Sequence, residues 1–156
     1  MAADDPVALR AVQQVAALLA PIPALEGKVF HVLSEKDLFD TATALSAPAA
    51  GVVYDGMRPQ PESGAMRTGL AAELAVNVVI FYDGKDFVGQ EAADAATLDA
   101  IRLLDSVRNA IRGQRGPGNH LWRFDREIPA VEKGSLVVWL QRWTTPVGLA
   151  QGLSPA

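Results

Sequence analysis

Few side chains in this sequence combine a reactive type with a spacing that chemistry can use. There are two histidines, His31 and His120. His31 lies in an apolar run and reads as a half-buried structural residue. His120 follows a glycine-rich loop and is the better acid–base candidate of the two. Neither belongs to an HxxxH, HxH or DxD pattern, so no metal site is expected. Ser46, Ser63 and Ser154 fall in predicted loops or turns, and none has the G-x-S-x-G setting of a nucleophile elbow. Cysteine is absent, which excludes thiolate ligands, cysteine nucleophiles and disulfides. An enzyme would have to rest on His120 and Asp125, the least unsuited acid–base pair. No catalytic constellation and no cofactor are expected.

Two further groups have a chemical and a plain reading. Asp83, Asp86 and Glu91 would suit acid–base work or a bound cation. They suit better a solvated turn and the positive end of a following helix dipole. The segment Gly113-Gln114-Arg115-Gly116-Pro117-Gly118-Asn119 is glycine-rich and has Arg112 beside it. A phosphate cradle would lead into a helix N-terminus. This loop leaves a helix and enters a strand, and it has no G-x-x-x-x-G-K-[ST] pattern. It reads as a connector whose arginines complement the helix dipole, with Arg115 also available as an interface residue.

The elements that would position these groups follow from periodicity. Asp4 and Asp5 before Pro6 predict a helix start with an aspartate cap. Leu9, Val12, Val15, Ala16 and Leu19 recur at helical spacing, and Pro21 and Pro23 stop the helix. This places the first helix at about residues 5–20. Residues 28–33 read as a strand. Ser34 opens a short helix through Leu45, with its hydroxyl as cap and Asp37 three residues on. Residues 49–54 form a second strand, followed by an aperiodic stretch from Asp55 to Gly69 of the kind that is usually functional or mobile.

The strongest strand comes next, with Ala72, Leu74, Val76, Val78, Ile80 and Tyr82 on one face. Glu73, Ala75, Asn77, Val79 and Phe81 share the other, polar early and apolar late. Residues 90–112 form the clearest helix, with Ala93, Thr97, Ala100, Leu104, Val107 and Ile111 inward and Gly113 ending it. Segments 121–128 and 135–144 predict a closing antiparallel hairpin. The order is α-β-α-β-β-α-β-β: an α+β fold with a mostly antiparallel sheet of about four to five strands, flanked by two main helices. Residues 1–146 are expected to form one domain, with 147–156 as a mobile tail.

Composition agrees with one folded domain. The chain has 156 residues, 49% hydrophobic and 21% charged, which suits a packed core. A net charge of -4 argues against nucleic acid as the main partner. Met1-Ala2-Ala3-Asp4-Asp5 is acidic where a signal peptide would be basic. The apolar run from Val15 to Leu25 is broken by two prolines and falls short of the roughly 20 residues a membrane span needs. A soluble protein with no membrane partner is expected.

The last strand holds an anomaly. Leu136, Val138 and Leu140 alternate as a core face should, yet the opposite face carries Val137, Trp139 and Trp143, with Gln141 between the tryptophans. Either a helix covers that face and the tryptophans are core, or they form a partner surface, where tryptophan is enriched.

Element order and the ending Trp139-Leu140-Gln141-Arg142-Trp143-Thr144-Thr145 resemble the small tail-terminator (tail-completion) proteins of long-tailed phages and Mu-like prophages, over about residues 5–145. The resemblance implies a homohexameric ring that caps the tail tube and joins the tail to the head connector. Its partners would be itself, the tail tube protein and a head–tail connector protein, in the virion tail after assembly in the bacterial host cytoplasm. A ring needs two different patches that meet. The Trp139/Trp143 face and the Asp55–Gly69 loop, with Met57, Arg58 and Arg67, are the candidate halves. Glu73, Asn77, Arg123 and Asp125 would supply the polar rim. On this reading Trp139→Ala, or deletion of the loop, would leave a folded protein with impaired assembly. The rivals are a head–tail connector or neck protein, and a small-ligand-binding regulatory α+β domain with a pocket at Trp139.

Overall fold

Proline, not aspartate, occupies the N-cap position of helix α1 (Val7–Leu19). The computed structural model describes residues 5–46, 48–59, 71–83, 90–130 and 136–148, and Asp4 lies outside them. Helix α1 buries Ala11, Val12, Val15 and Leu19 along one stripe. After Pro21 the chain makes a short 3₁₀ turn at Pro23–Leu25 and then enters strand β1 (Val29–Val32).

Helix α2 (Glu35–Leu45) follows. Its predicted cap differs in detail. The Ser34 hydroxyl donates to the Asp37 carboxylate at 3.0 Å instead of accepting a backbone N–H. Strand β2 (Ala49–Pro59) is longer than expected, because the first five residues of the predicted loop, Asp55 to Pro59, continue it. The signal was hidden by a bulge. Register slips between Tyr54 and Met57, and Gly56 takes the positive φ of 94° that the irregularity needs.

Strand β3 (Ala71–Asp83) is the long central strand the alternation predicted. Helix α3 (Gln90–Ile111) ends as expected, with Gly113 just past it at a φ of 81°. Strands β4 (Arg123–Pro129) and β5 (Leu136–Gly148) pair as an antiparallel hairpin. Strand β5 includes Val147, which is buried, so the ordered fold passes the expected boundary at residue 146 by two residues. The predicted tail from residue 149 on lies outside the described residues.

The five strands make one mixed sheet in the order β1-β2-β3-β5-β4. Only β1 and β2 run parallel, and α2 is the crossover that a parallel neighbour requires. The fold is therefore α+β with a mostly antiparallel sheet, as read from the sequence.

Both faces of this sheet are covered. On one, α1 and α3 bury Val12, Val15, Leu19, Leu104, Val107 and Ile111 against Leu74, Val76, Val78, Ile80 and Trp143. On the other, Leu38 and Ala42 of α2 pack on Val53, Val79, Phe81 and Val138. Gly51 lets α2 sit close, since a Cβ there would lie 2.5 Å from the Leu38 side chain and 2.7 Å from the Phe30 ring.

The two faces of β5 are thus the reverse of their predicted ranking. Gln141 and Trp143 face the larger core under α1 and α3, and Val138 and Leu140 face the smaller one. The physical reason is that helices lie on both sides at the Val138 end of β5, so neither face is solvated there.

Candidate functional site

The second sheet face is apolar only where α2 lies. Towards the other end of the strands it becomes a charged array drawn from four strands. Strand register sets Asn77 of β3 between Val53 of β2 and Arg142 of β5, and Arg142 is also the partner of Arg126 on β4. Arg142 is the centre of the array. Its Nε donates to Asp55 Oδ2 at 2.9 Å and its Nη1 donates to Asp125 Oδ2 at 2.8 Å. One side chain therefore ties β2, β5 and β4 together across β3. Beside it Arg58 Nη2 donates to Glu73 Oε1 at 2.9 Å, between residues directly opposite in the ladder. The Asn77 side-chain oxygen is buried with no hydrogen-bond partner among the described residues.

The hydrogen bonds from Asp55 and then Asp125 push the Arg142 guanidinium above its already high ordinary pKa. A raised folded value means that its contribution is complete below the unfolded value and is lost only as pH rises through the folded one. The array thus keeps its cation throughout the neutral range. The carboxylate partners are part-exposed, so the pairs set geometry more than they add stability.

The predicted interface residues divide between the faces. Arg58, Glu73, Asn77, Arg123 and Asp125 share the charged end of the second face, so the four residues expected to rim the Trp139/Trp143 surface lie on the face opposite to it. Trp143 does not join them: it is 2% exposed and sits in the larger core. Trp139 is half-buried against the same core. For Trp143 the covered-face reading holds and its place in the proposed contact surface is corrected, whereas Trp139 keeps part of its surface open. Met57 also packs towards the larger core, away from Arg58. Arg67 lies outside the described residues. Asp55 and Arg142 were missed. The available signal was a charge at position 142 in line with Val138 and Leu140, which marks where an apolar face runs out.

Arg115 lies in the glycine-rich loop. There it donates to the Asn119 carbonyl at 2.8 Å. The loop folds back as a connector, with an isolated bridge between Arg115 and Leu121. It packs on the end of β5, where the Thr145 hydroxyl donates to the His120 carbonyl at 3.1 Å. A Cβ on Gly118 would lie 2.5 Å from the Pro146 carbonyl oxygen, a backbone atom that cannot swing aside. Gly118→Ala is expected to cost about 1–3 kcal/mol, as other overpacking does, seen as a lower urea midpoint at unchanged slope.

Little else gathers reactive groups. His31 and His120 are both exposed, so His31 is not the half-buried residue expected. Asp125, the other half of the acid–base pair, is bonded to Arg142. The Ser46 hydroxyl donates to the adjacent Leu45 carbonyl. Ser63, Ser154 and Asp86 lie outside the described residues, as do the side chains of Asp83 and Glu91. Among the described residues no group of three metal-ligating side chains is found, and no helix is long and apolar enough to cross a membrane.

A cleft of about 320 Å³ opens between Tyr82, Asp99, Arg102, Leu103 and Ser106. Burial first, and the Asp99 charge second, push the Tyr82 phenol above its ordinary pKa. The cleft does not include Trp139, where the ligand-binding rival placed its pocket. No protein-family model matches the chain, and no curated protein matches it either.

Proposed function

We propose that the chain is a structural phage tail terminator that assembles into a homo-oligomeric ring, six copies by the resemblance. The ring would cap the tail tube and join the tail to the head connector. The tail role rests on the resemblance in element order. The contact role is supported by one observation: a charged array from four strands, held in fixed geometry by Arg142 and lying beyond the apolar cluster under α2. Side chains fixed in this way meet a partner at little further entropic cost.

The test is assembly and tube capping. Multi-angle light scattering should give a multiple of the 16.6 kDa chain mass, six-fold for a hexamer. Added to polymerising tail tube protein, the ring should shorten the tubes. A protein that stays monomeric and leaves tube length unchanged would remove this reading. Binding to portal-side rings but not to tube ends would instead favour a connector or neck protein.

A further inference from the structure

The strand order leaves β1 at one end of the sheet and β4 at the other, each with no strand on its outer side among the described residues. These two edges differ in charge. Residues 112–129, leading into and along β4, hold Arg112, Arg115, Arg123 and Arg126 against Asp125 and Glu127, a net charge of +2. Both acids are already bonded, Asp125 to Arg142 and Glu127 to Arg108, which leaves Arg123 and Arg126 as the uncompensated charges of β4 among the described residues. Residues 26–40, around β1 and the start of α2, hold Glu26, Glu35, Asp37 and Asp40 against Lys28 and Lys36, a net charge of -2. Arg123 and Arg126 are exposed on β4, and Glu26 before β1 and Asp37 and Asp40 of α2 are exposed as well. Apolar surface accompanies the charge on both. Phe124 is 47% and Ile128 40% exposed on β4, and Leu33 just after β1 is 56% exposed.

Building on the ring reading, we propose that successive copies of this chain join edge to edge, with β4 of one copy against β1 of the next. Two like edges repel, so a two-fold pairing of β4 with β4 or of β1 with β1 is disfavoured. Unlike edges attract, which makes the contact head-to-tail, the kind that closes into a ring. Strand direction is compatible. β1 runs with β2, and each later step across the sheet reverses direction. In copies rotated about an axis along the strands, β4 therefore meets the next β1 antiparallel, the more stable pairing. Main-chain hydrogen bonds would supply the joint, and the charges would select it.

Charge exchange tests this. R123E/R126E makes the β4 edge acidic, and E26K/D40K makes the β1 edge basic. All four positions are exposed, and circular dichroism should show both variants folded. Each alone should sediment as a monomer under conditions where the wild type assembles. An equimolar mixture should assemble again, since each reversed edge then faces a complementary one and the two variants alternate. The four substitutions in a single chain should likewise restore assembly. The wild-type complex should weaken as salt rises towards ~1 M. If the two variants each assemble as the wild type does, the edge joint is wrong while the ring reading stands. A wild type that is monomeric at every salt and protein concentration would overturn both.

Discussion

Trp143→Ala is expected to lower stability by about 3–5 kcal/mol, the range for a large aromatic removed from a core. The indole is 2% exposed, lies in the core under α1 and α3, and meets the Phe124 ring edge-on at 5.3 Å between centroids. A loss of that size takes a large share of the roughly 5–15 kcal/mol that holds a domain together. Urea unfolding followed by far-UV circular dichroism would measure it. Phe124→Ala should cost much less, because that ring is 47% exposed. A Trp143→Ala protein that kept its stability but lost assembly would return the residue to an interface.

Gln141→Leu should follow closely, for a different reason. Gln141 is fully buried, and its amide is a junction. Its Nε2 donates to the Leu104 carbonyl at 2.9 Å and to Glu127 Oε1 at 2.8 Å, while its Oε1 accepts from Trp143 Nε1 at 3.2 Å. Arg108 from α3 reaches the same Glu127. Leucine nearly fills the space but makes none of these bonds, so the cost is polar, about 1–3 kcal/mol for each group left without a partner. The indole N–H suffers most, because Glu127 keeps Arg108. In a Trp143→Phe background that donor is gone, so Gln141→Leu should cost visibly less there than in the wild type. Simple additivity of the two changes would deny that the junction acts as a unit.

Long, regular elements were legible in the sequence. Strand β3 alternates over 13 residues, and both of its faces were read correctly because its polar positions, Glu73 and Asn77, lie together at one end. On α3 the positions Ala100, Leu104, Val107 and Ile111 read as inward are buried, because the helical spacing persists to the end of the element, while the side chains of Ala93 and Thr97 lie outside the described residues. Strand β5 was misread because Val138, Leu140, Trp139 and Trp143 are apolar on both faces, and alternation cannot say which helix covers which. Strand β2 was cut short because Gly56 and Pro59 resemble loop punctuation when the bulge is unseen. The charged array was half legible. Arg58, Glu73, Asn77, Arg123 and Asp125 stand out as polar strand positions, but the Asp55–Arg142 bond spans 87 positions. Only the register of the two intervening ladders, β2 with β3 and β3 with β5, makes those two neighbours.

The placement of β5 also bears on how the molecule is made. It follows every other described strand in the chain, yet it lies inside the sheet, between β3 and β4. During synthesis α1 to β3 can collapse early, since β1, β2 and β3 are neighbours in sequence and in space. Strand β4 then emerges with nothing to pair with, and β3 waits with a bare edge. Both are completed in one step when residues 136–148 leave the ribosome and insert. Contacts this distant in sequence form slowly, and the bare edge of β3 is the segment most exposed to misassembly in the interval. Emergence of β5 would therefore be the event that commits the chain to its fold.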